Sequence, residues 1–290
     1  MNIHHSAIAD PQQQARDWLA ARGVRSACLT RLTGGHTHSV FRVEQAQAPR
    51  RSVLRLINPA LDGSLCPLAQ QAEAVIRTHQ QAAELGLAPA VLAADVRQGI
   101  MWLADAGEPQ DLRAKDFAEI QGLLQRLHGS GLDWAQAGKP ADPAALTHLQ
   151  TLAIQTHAAA ELAASLLRQA EQRGYAEAQA VPVHSDLNPG NCLHDGQRWW
   201  LIDWDFAGMQ AAQWDYASLI SEFGWDVQQA VAFAPQWPVP ELAWYCSNFS
   251  LLSWDWHVQR GSAADCVAHK WETVKYWAGI GKDSVKNSHY

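Results

Sequence analysis

The sequence predicts an α+β fold with a small β-rich N-terminal lobe, residues 1–104, and a larger helical C-terminal lobe, residues 105–290. Two observations support this division. Short runs with strand composition and intervening turn residues crowd the first hundred residues, whereas helical apolar spacing dominates afterwards. In addition, 290 residues exceed the size of one small domain and can bury a substantial core.

The N-terminal lobe is predicted to begin with a helix over 11–22, which Pro11 opens and Gly23 closes. A helix that ends at Gly86 follows the first three strands. The stretch 104–110 is rich in turn-forming residues and is the predicted hinge between the lobes. The strands are expected at 26–32, 39–44, 52–57, 89–94 and 100–104, and the second helix at 67–85.

The C-terminal lobe is predicted to contain a helix over 116–127 and an Ala-rich segment, 143–173, that forms one long helix or two. From Tyr216 onward the chain is helical and rich in tryptophan. Tryptophans spread through a helical lobe are mostly core packing, so we expect only one or two of them to touch a ligand. They are Trp225, Trp237, Trp244, Trp254, Trp256, Trp271 and Trp277.

Composition excludes several functional classes. The five cysteines form no C-x-x-C pair, which indicates reduced thiols in a cytoplasmic protein rather than a disulfide framework. No apolar run is long enough to span a membrane, and the N-terminus has no secretory pattern. The net charge is −7 and residues 184–290 hold 12 acidic against 6 basic residues, so a nucleic-acid partner is not expected. This acidic half favours a cationic ligand.

The stretch 184–205, H-S-D-L-N-P-G-N-C-L-H-D-G-Q-R-W-W-L-I-D-W-D, is the most informative part of the chain. Asp186 precedes Asn191 by five positions in a Pro-Gly loop, and a short apolar run then ends at Asp203. Kinases use this order: one carboxylate accepts the hydroxyl proton, while an amide and a second carboxylate hold Mg²⁺. We therefore predict an ATP-dependent kinase with Asp186 as the base and Asn191 and Asp203 as metal ligands. Asp205 is either a further ligand or a cap.

Taken one at a time, Asp and Asn in such a loop are usually turn formers, and only their combination with Asp203 favours catalysis. His184 is predicted to brace the loop through hydrogen bonds. Upstream, the sequence L-T-G-G-H-T-H-S-V-F-R-V (32–43) resembles a phosphate-binding glycine loop, although a hairpin turn has the same composition.

The strand that follows the glycine loop carries Arg55, which is predicted to neutralise phosphates with Glu73 or Glu84 as its partner. A protective edge-strand charge is the alternative for Arg55. The predicted nucleotide-binding residues are Gly34, Gly35, Thr37, His38, Ser39, Arg55 and Glu73.

These motifs resemble the aminoglycoside phosphotransferase and choline kinase superfamily. The resemblance covers most of the chain, from the glycine loop through V-L-R, R-L-H (126–128), H-S-D-L-N-P-G-N and I-D-W-D-F-A-G-M to W-D-Y-A (214–217). It implies a protein-kinase-like fold with a nucleotide cleft between the lobes. The arginine of V-L-R and I-D-W-D-F-A-G-M are similar to the choline and thiamine kinase branch. His38 replaces a common asparagine of the family, and Phe206 a common tyrosine.

In that branch a carboxylate at the position of Glu222 meets the substrate's cation, and aromatic residues complete the site, as cations bind well over tryptophan faces. The resemblance implies the acceptor-binding residues Asn188, Phe206, Glu222, Trp254 and Trp256. The expected substrate is a small cationic alcohol: choline first, then thiamine or ethanolamine. ATP and GTP both suit the motifs, and any oligomeric state is compatible with them.

Three other functions compete with this one. An aminoglycoside or sugar phosphotransferase would use the same chemistry, and the acidic C-terminal half is compatible with it. A non-catalytic nucleotide-binding module is disfavoured because Asp186, Asn191 and Asp203 are all present. A protein kinase is disfavoured because the long activation segment and its A-P-E end are absent after Asp203.

Overall fold

The structure is a computed structural model that describes residues 10–32, 38–58, 72–134, 146–152 and 156–286. The chain forms two compact units. The first unit comprises Met1–Glu108 and His194–Asp205, and the second comprises Pro109–Leu193 and Phe206–Tyr290. The division at Glu108 falls in the stretch 104–110, while the return of His194–Asp205 to the first unit is a feature that the sequence did not indicate.

The first unit is built on a five-stranded antiparallel sheet with the order β1-β2-β3-β5-β4. All five predicted strands are present, and two of them have the predicted bounds. Ser39 pairs with Leu56 and Arg55 with Met101, so β3 lies at the centre of the sheet. The strands are β1 (Cys28–Arg31), β2 (Ser39–Glu44), β3 (Arg51–Leu56), β4 (Val91–Asp95) and β5 (Ile100–Ala104).

Two helices accompany this sheet, α1 (Pro11–Ala20) and α2 (Ala72–Glu84). Asp10 caps α1, since its side chain accepts a hydrogen bond from the backbone N–H of Gln12. The predicted start of the second helix, 67–71, lies outside the described residues. The core of this unit is formed by Trp18, Leu19, Phe41, Leu54, Leu56 and Ile100. Leu54 and Leu56 face it because alternate residues of a strand share one face.

The second segment of the first unit, His194–Asp205, belongs to a short hairpin. In this hairpin β9 (Trp199–Leu201) follows the end of β8 (Cys192–His194). Gly107 lies against this hairpin with φ +82°, and a Cβ at position 107 would lie 2.0 Å from the carbonyl oxygen of His194. Both the backbone conformation and the close approach therefore require glycine at this position.

The second unit is predominantly helical. The segment 143–173 contains two helices, and residues 153–155 between them lie outside the description. Thr156 caps the second of these, which ends at Gly174 in the left-handed conformation. The helices are α3 (Phe117–His128), α4 (Leu146–Leu152), α5 (His157–Arg173), α6 (Gln213–Glu222), α7 (Val227–Phe233), α8 (Val239–Gln259) and α9 (Ala264–Lys286).

Two further strands of the second unit, β7 (Ala180–Val183) and β10 (Gly208–Ala211), pair antiparallel, with Gly208 opposite Val183. The two-residue strand β6 (Glu108–Pro109) lies at the division of the units. The loop 184–191, which carries Asp186, therefore leaves directly from the end of β7.

Most of the C-terminal tryptophans are core residues, as expected. Trp225, Trp244, Trp254 and Trp277 are buried, whereas Trp237, Trp256 and Trp271 are half-buried. None of the helices in the described part of the chain combines the length and the apolar character that crossing a lipid bilayer requires.

Candidate active site

The loop 184–191 in the second unit brings three of the predicted residues together. The side-chain amide of Asn191 donates to Oδ2 of Asp186 at 3.0 Å and to the backbone carbonyl of Asp186 at 2.8 Å. The amide of Asn188 donates to Oδ1 of Asp186 at 3.2 Å, and its own oxygen accepts from the N–H of Gly190. Both oxygens of the Asp186 carboxylate are thus held in a fixed orientation.

The orientation of Asn191 bears on its predicted role as a metal ligand. Because the amide nitrogen donates to Asp186, the carbonyl oxygen of the same side chain points to the opposite side. An amide oxygen is a hard donor of the kind that Mg²⁺ prefers. The geometry of Asn191 is therefore compatible with a metal ligand, and Asn188 acts within the loop as a brace.

The loop is anchored by a buried carboxylate whose role the sequence analysis missed. Asp215, on α6, is fully buried and accepts hydrogen bonds from the backbone N–H groups of His184 (3.1 Å) and Ser185 (2.8 Å). It also pairs with Nε2 of His128 at 3.0 Å. Ser185 has φ +70°, a conformation that non-glycine residues adopt only where surrounding contacts enforce it.

Ser218 provides a second anchor one helical turn further along α6. Its hydroxyl accepts from the N–H of Leu187 at 2.8 Å and donates to the carbonyl of the same residue at 3.0 Å. His184 is fully buried, and its Nδ1 accepts from the N–H of Asp186 at 3.3 Å, which confirms the predicted bracing role. His128 lies in the motif R-L-H and Asp215 in the motif W-D-Y-A, but the sequence alone gave no reason to connect these two residues to the loop.

The first unit contains a second group of predicted residues, which we call the Arg55 cluster: Arg55, Asp203, Asp205 and His38. The Nη2 atom of Arg55 donates to Oδ1 of Asp203 at 2.9 Å and to Oδ2 of Asp205 at 2.6 Å. Arg55 is only 6% exposed and Asp205 1% exposed. The alternative of a protective edge-strand charge is therefore wrong, because β3 is paired on both sides and the Arg55 side chain is buried against two carboxylates.

His38 completes the cluster and has a defined tautomer. Its Nδ1 accepts from the backbone N–H of Asn58 at 3.0 Å, so in the neutral ring the proton lies on Nε2. That nitrogen donates to Oδ2 of Asp205 at 2.6 Å. Asp205 is thus committed to Arg55 and His38, and its role as a metal ligand stays a prediction.

The charges of the Arg55 cluster leave one net negative charge when His38 is neutral. Burial by itself raises the pKa of the Asp205 carboxyl, but the positive charge of Arg55 and the hydrogen bond from His38 outweigh it and hold that pKa well below its ordinary value. Asp203 is the more accessible carboxylate, with its side chain 34% exposed, and it has φ +65°. Backbone strain of this kind is common at functional sites.

The predicted partner of Arg55 is wrong. Glu73 forms an ion pair with Arg77 on its own helix at 2.6 Å, since residues four apart are neighbours on a helix. The two aspartates after β9 provide the counter-charges instead. Ser39 begins β2 and Phe206 is half-buried, and their ligand contacts stay predictions. Gly34, Gly35 and Thr37 lie outside the described residues.

Three of the acceptor-binding residues that the resemblance implies, Glu222, Trp254 and Trp256, lie on α6 and α8. Glu222 pairs with Nζ of Lys270 at 2.5 Å and accepts from the hydroxyl of Ser253 at 2.8 Å. Trp254 is buried, with its ring centroid 4.8 Å from that of Trp271. The guanidinium of Arg260 lies 4.8 Å from the ring centroid of Trp256. The pairing of Glu222 with an ammonium group of its own chain was not predicted.

Comparison with known families covers the segments that carry both groups of residues. A family model described as the phosphotransferase enzyme family matches residues 29–246, about three quarters of the chain. The chain belongs to this phosphotransferase family. The match includes the Arg55 cluster, the loop 184–191 and its anchors on α6. No characterised protein sequence matches the chain significantly.

Solved structures establish the fold of this phosphotransferase as protein-kinase-like. A choline/ethanolamine kinase family protein from Mesorhizobium loti is 21% identical, with a TM-score of 0.66 and coverage of 93% of this chain and 94% of that chain. A choline kinase from Streptococcus pneumoniae is 17% identical, with a TM-score of 0.68 and coverage of 92% and 99%. A thermostable mutant of an aminoglycoside phosphotransferase is 19% identical, with a TM-score of 0.59 and coverage of 94% and 98%. The predicted fold class and family are therefore confirmed.

Proposed function

We propose that this phosphotransferase transfers the γ-phosphoryl group of ATP to the hydroxyl group of a small cationic alcohol, with choline the first candidate and thiamine or ethanolamine next. The observation that carries the proposal is the loop 184–191, in which Asn188 and Asn191 orient both oxygens of Asp186. A kinase of this class needs a carboxylate in a fixed position, because phosphoryl transfer depends mainly on positioning and charge stabilisation.

In the proposed reaction the oxygen of the acceptor hydroxyl attacks the γ-phosphorus of ATP and its proton passes to Asp186, while the bond from the γ-phosphorus to the β,γ-bridging oxygen breaks and ADP leaves. The hydrogen bonds from the side-chain amides of Asn188 and Asn191 hold the carboxylate in one orientation. His184 and Asp215 hold the loop backbone, so that Asp186 does not drift from its substrate.

Mg²⁺ is the proposed cofactor, and the oxygen donors of Asn191 and Asp203 are of the chemical type that this ion prefers. The carbonyl oxygen of Asn191 points away from Asp186, and Asp203 is a partly exposed carboxylate of a cluster with net negative charge. In the described residues no group of three His, Cys, Asp or Glu side chains could hold a metal by itself. Kinase Mg²⁺ sites usually have only one or two carboxylates, because phosphates and water supply the other ligands. Bound Mg²⁺ would neutralise charge on the phosphates.

Neighbouring structures support ATP as the donor. The choline kinase from Streptococcus pneumoniae has been solved with AMP, and the aminoglycoside phosphotransferase mutants with ADP or AMP-PNP. Arg55 is the proposed cation for the phosphates. Its ion pairs with Asp203 and Asp205 would keep the guanidinium in one orientation before nucleotide binds, which lowers the entropic cost of binding.

The cationic acceptor is supported by the likeness to solved choline and choline/ethanolamine kinases and by the acidic balance of residues 184–290. An aminoglycoside or another sugar is the second candidate. It is supported by a ternary complex of the aminoglycoside phosphotransferase mutant with ADP and hygromycin B, which has a TM-score of 0.57 to this chain. The half-buried aromatic residues of α8 favour the smaller cation over a sugar.

The test is ADP release by the purified full chain with ATP and Mg²⁺, against choline, ethanolamine, thiamine, kanamycin, hygromycin B and glucose. We expect turnover with one cationic alcohol, loss of turnover with EDTA, and recovery when Mg²⁺ is added. Asp186→Asn is the control for enzyme contamination, because it keeps the side-chain shape and removes the base. Turnover with an aminoglycoside, and with none of the cationic alcohols, would favour the second candidate acceptor. Binding of ATP without turnover of any acceptor would contradict the proposal.

A further inference from the structure

The second unit contains a cavity of about 420 Å³, within the size range of small-molecule binding sites. Its lining includes the end of α5, the start of β7, the start of α6 and the first turns of α8. Val181 in β7 lines the cavity, whereas the loop with Asp186 leaves from the other end of β7, after Val183. A strand rises about 3.3 Å per residue, so about 10 Å of strand separates the cavity from the catalytic loop.

Three aromatic side chains line this cavity: Tyr175, Trp237 and Tyr245. The ring centroids of Tyr175 and Tyr245 are 6.0 Å apart. Tyr175 and Trp237 are half-buried, so both rings keep surface that a ligand can contact, whereas Tyr245 is buried. Organic cations bind well over the faces of such rings.

A carboxylate lies in the same lining without a cation to balance it. Glu241, in the first turn of α8, is half-buried, and its Oε1 accepts from the side-chain amide of Gln213 at 2.6 Å. Gln213 therefore holds the carboxylate in one orientation through a neutral group. Among the described residues no cation forms an ion pair with Glu241, in contrast to Glu222, which is paired with Lys270.

The charges around the cavity favour a cation. Its ionisable lining residues are Arg173, Glu177 and Glu241, which together carry one net negative charge, and Arg173 is exposed at the end of α5. Burial raises the pKa of Tyr245, and the negative charge of Glu241 adds to the increase. Burial also raises the pKa of Tyr175, against the hydrogen bond and the charge of Arg173, and Glu241 again adds to the increase. The negative charge of Glu241 thus acts on two of the aromatic residues in the lining.

The hydroxyl group of Tyr245 adds an independent observation. It is buried and has no hydrogen-bond partner in the part of the chain that the structure describes. Buried polar atoms are nearly always satisfied in native proteins, so this hydroxyl requires an explanation. Tyr245 follows Glu241 by four residues, which places both on one side of α8. An N–H group of a ligand bound at Glu241 would be a donor for the Tyr245 oxygen.

We propose that this cavity is a second binding site, separate from the catalytic loop, for a small organic ammonium ion. The ammonium group pairs with Glu241, and the carbon body of the ligand lies against the rings of Tyr175 and Trp237. The inference does not depend on the proposed function, because it uses neither Asp186 nor the Arg55 cluster.

The experiment titrates the full chain with 2-phenylethylammonium by calorimetry, with 2-phenylethanol as the uncharged analogue. We expect the wild type to bind the cation about 10-fold more tightly than the alcohol, the lower end of the range for a hydrogen bond to a charged group, because Glu241 is half-exposed. The cation should also raise the melting temperature, since a ligand that binds the folded state stabilises it. This comparison of two ligands requires no variant.

Glu241→Gln removes the charge and keeps an oxygen that can accept from Gln213, so the variant should fold as wild type does. We expect it to bind 2-phenylethylammonium about 10-fold more weakly. Glu272→Gln, which removes an exposed carboxylate paired with Lys275, is the matched control and should bind the cation as wild type does.

Glu222→Gln tests whether the cation binds instead at the carboxylate that the resemblance implies for the acceptor. This variant should bind 2-phenylethylammonium as wild type does. Weak binding by Glu222→Gln, together with wild-type binding by Glu241→Gln, would place the cation at Glu222 and overturn the proposal. Absence of binding by wild type, or equal affinity of wild type for the cation and the alcohol, would overturn it as well.

Discussion

Substitution of Asp215 by asparagine tests whether the anchor on α6 positions the loop that carries Asp186. The carboxylate accepts three hydrogen bonds, from the N–H groups of His184 and Ser185 and from Nε2 of His128. An asparagine has one oxygen acceptor, so its amide nitrogen would face at least one of these donors. The loss is therefore one charge-assisted hydrogen bond and the weakening of two others.

The magnitude follows from these contacts. A hydrogen bond to a charged group contributes about 1.5–3 kcal/mol and a neutral one about 1 kcal/mol, so the substitution should cost about 3–5 kcal/mol of stability. For a unit of this size that corresponds to a decrease of the melting temperature of about 10 °C. A displacement of the loop by about 1 Å would in addition lower kcat about 100-fold, because the base is no longer aligned with the acceptor hydroxyl.

The assay measures thermal unfolding and steady-state kinetics of Asp215→Asn below its melting temperature. Asp226→Asn is the matched control: Asp226 caps α7 in an exposed capping box, where asparagine is an equally good cap. The KM for ATP should change little, since Asp215 bonds only to the loop and to His128 in the described structure. Wild-type kcat in a variant with a lowered melting temperature would refute the positioning role and leave Asp215 a purely structural residue.

Four further predictions concern turnover, nucleotide binding or stability. Asp186→Asn should abolish turnover and keep ATP binding, which nucleotide titration can check; near-normal turnover would remove Asp186 as the base. Gly107→Ala should destabilise the first unit, because its Cβ would collide with a backbone carbonyl; an unchanged melting temperature would contradict the tight approach. Arg55→Met should lower stability by about 3–5 kcal/mol, as expected when one partner of a buried ion pair is lost. Asp205, whose folded-state pKa is depressed, contributes stability that is present above its ordinary pKa and lost as the pH falls below it; wild type and Asp205→Asn should therefore differ in stability at pH 7 and converge in acid.

The fold and the family could be predicted because their sequence signals are local. Strand composition and turn residues located the five strands of the first sheet, and the spacing of Asp186, Asn191 and Asp203 indicated a kinase before any tertiary contact was known. Composition placed Gly107 in the predicted hinge. The close approach that makes glycine necessary there is to the backbone carbonyl of His194, 87 residues later in the sequence. A contact between residues so far apart in the chain does not produce a periodic pattern in a single sequence.

The partners of charged residues were the part that sequence reasoning could not supply. Arg55 was assigned to Glu73 because the motif required a helix carboxylate, yet Glu73 has Arg77 four residues away and Arg55 lies against aspartates about 150 positions later. Asp215 was visible in W-D-Y-A, but its hydrogen bonds to the loop depend on how α6 packs. The folded structure decides which charged side chains pair with each other, and the amino-acid composition does not encode that structure.

The buried carboxylates Asp205 and Asp255 illustrate how environment separates the roles of identical side chains. Both are almost fully buried, so desolvation raises the pKa of each. Beside Asp205, a guanidinium and an imidazole N–H outweigh the desolvation, and the pKa of the carboxyl falls. Beside Asp255, the described structure shows a single donor, the side-chain amide of Gln259, and the pKa of the carboxyl stays raised. A neighbouring cation therefore decides the direction of the pKa shift of a buried carboxylate, whereas one neutral amide does not offset the desolvation.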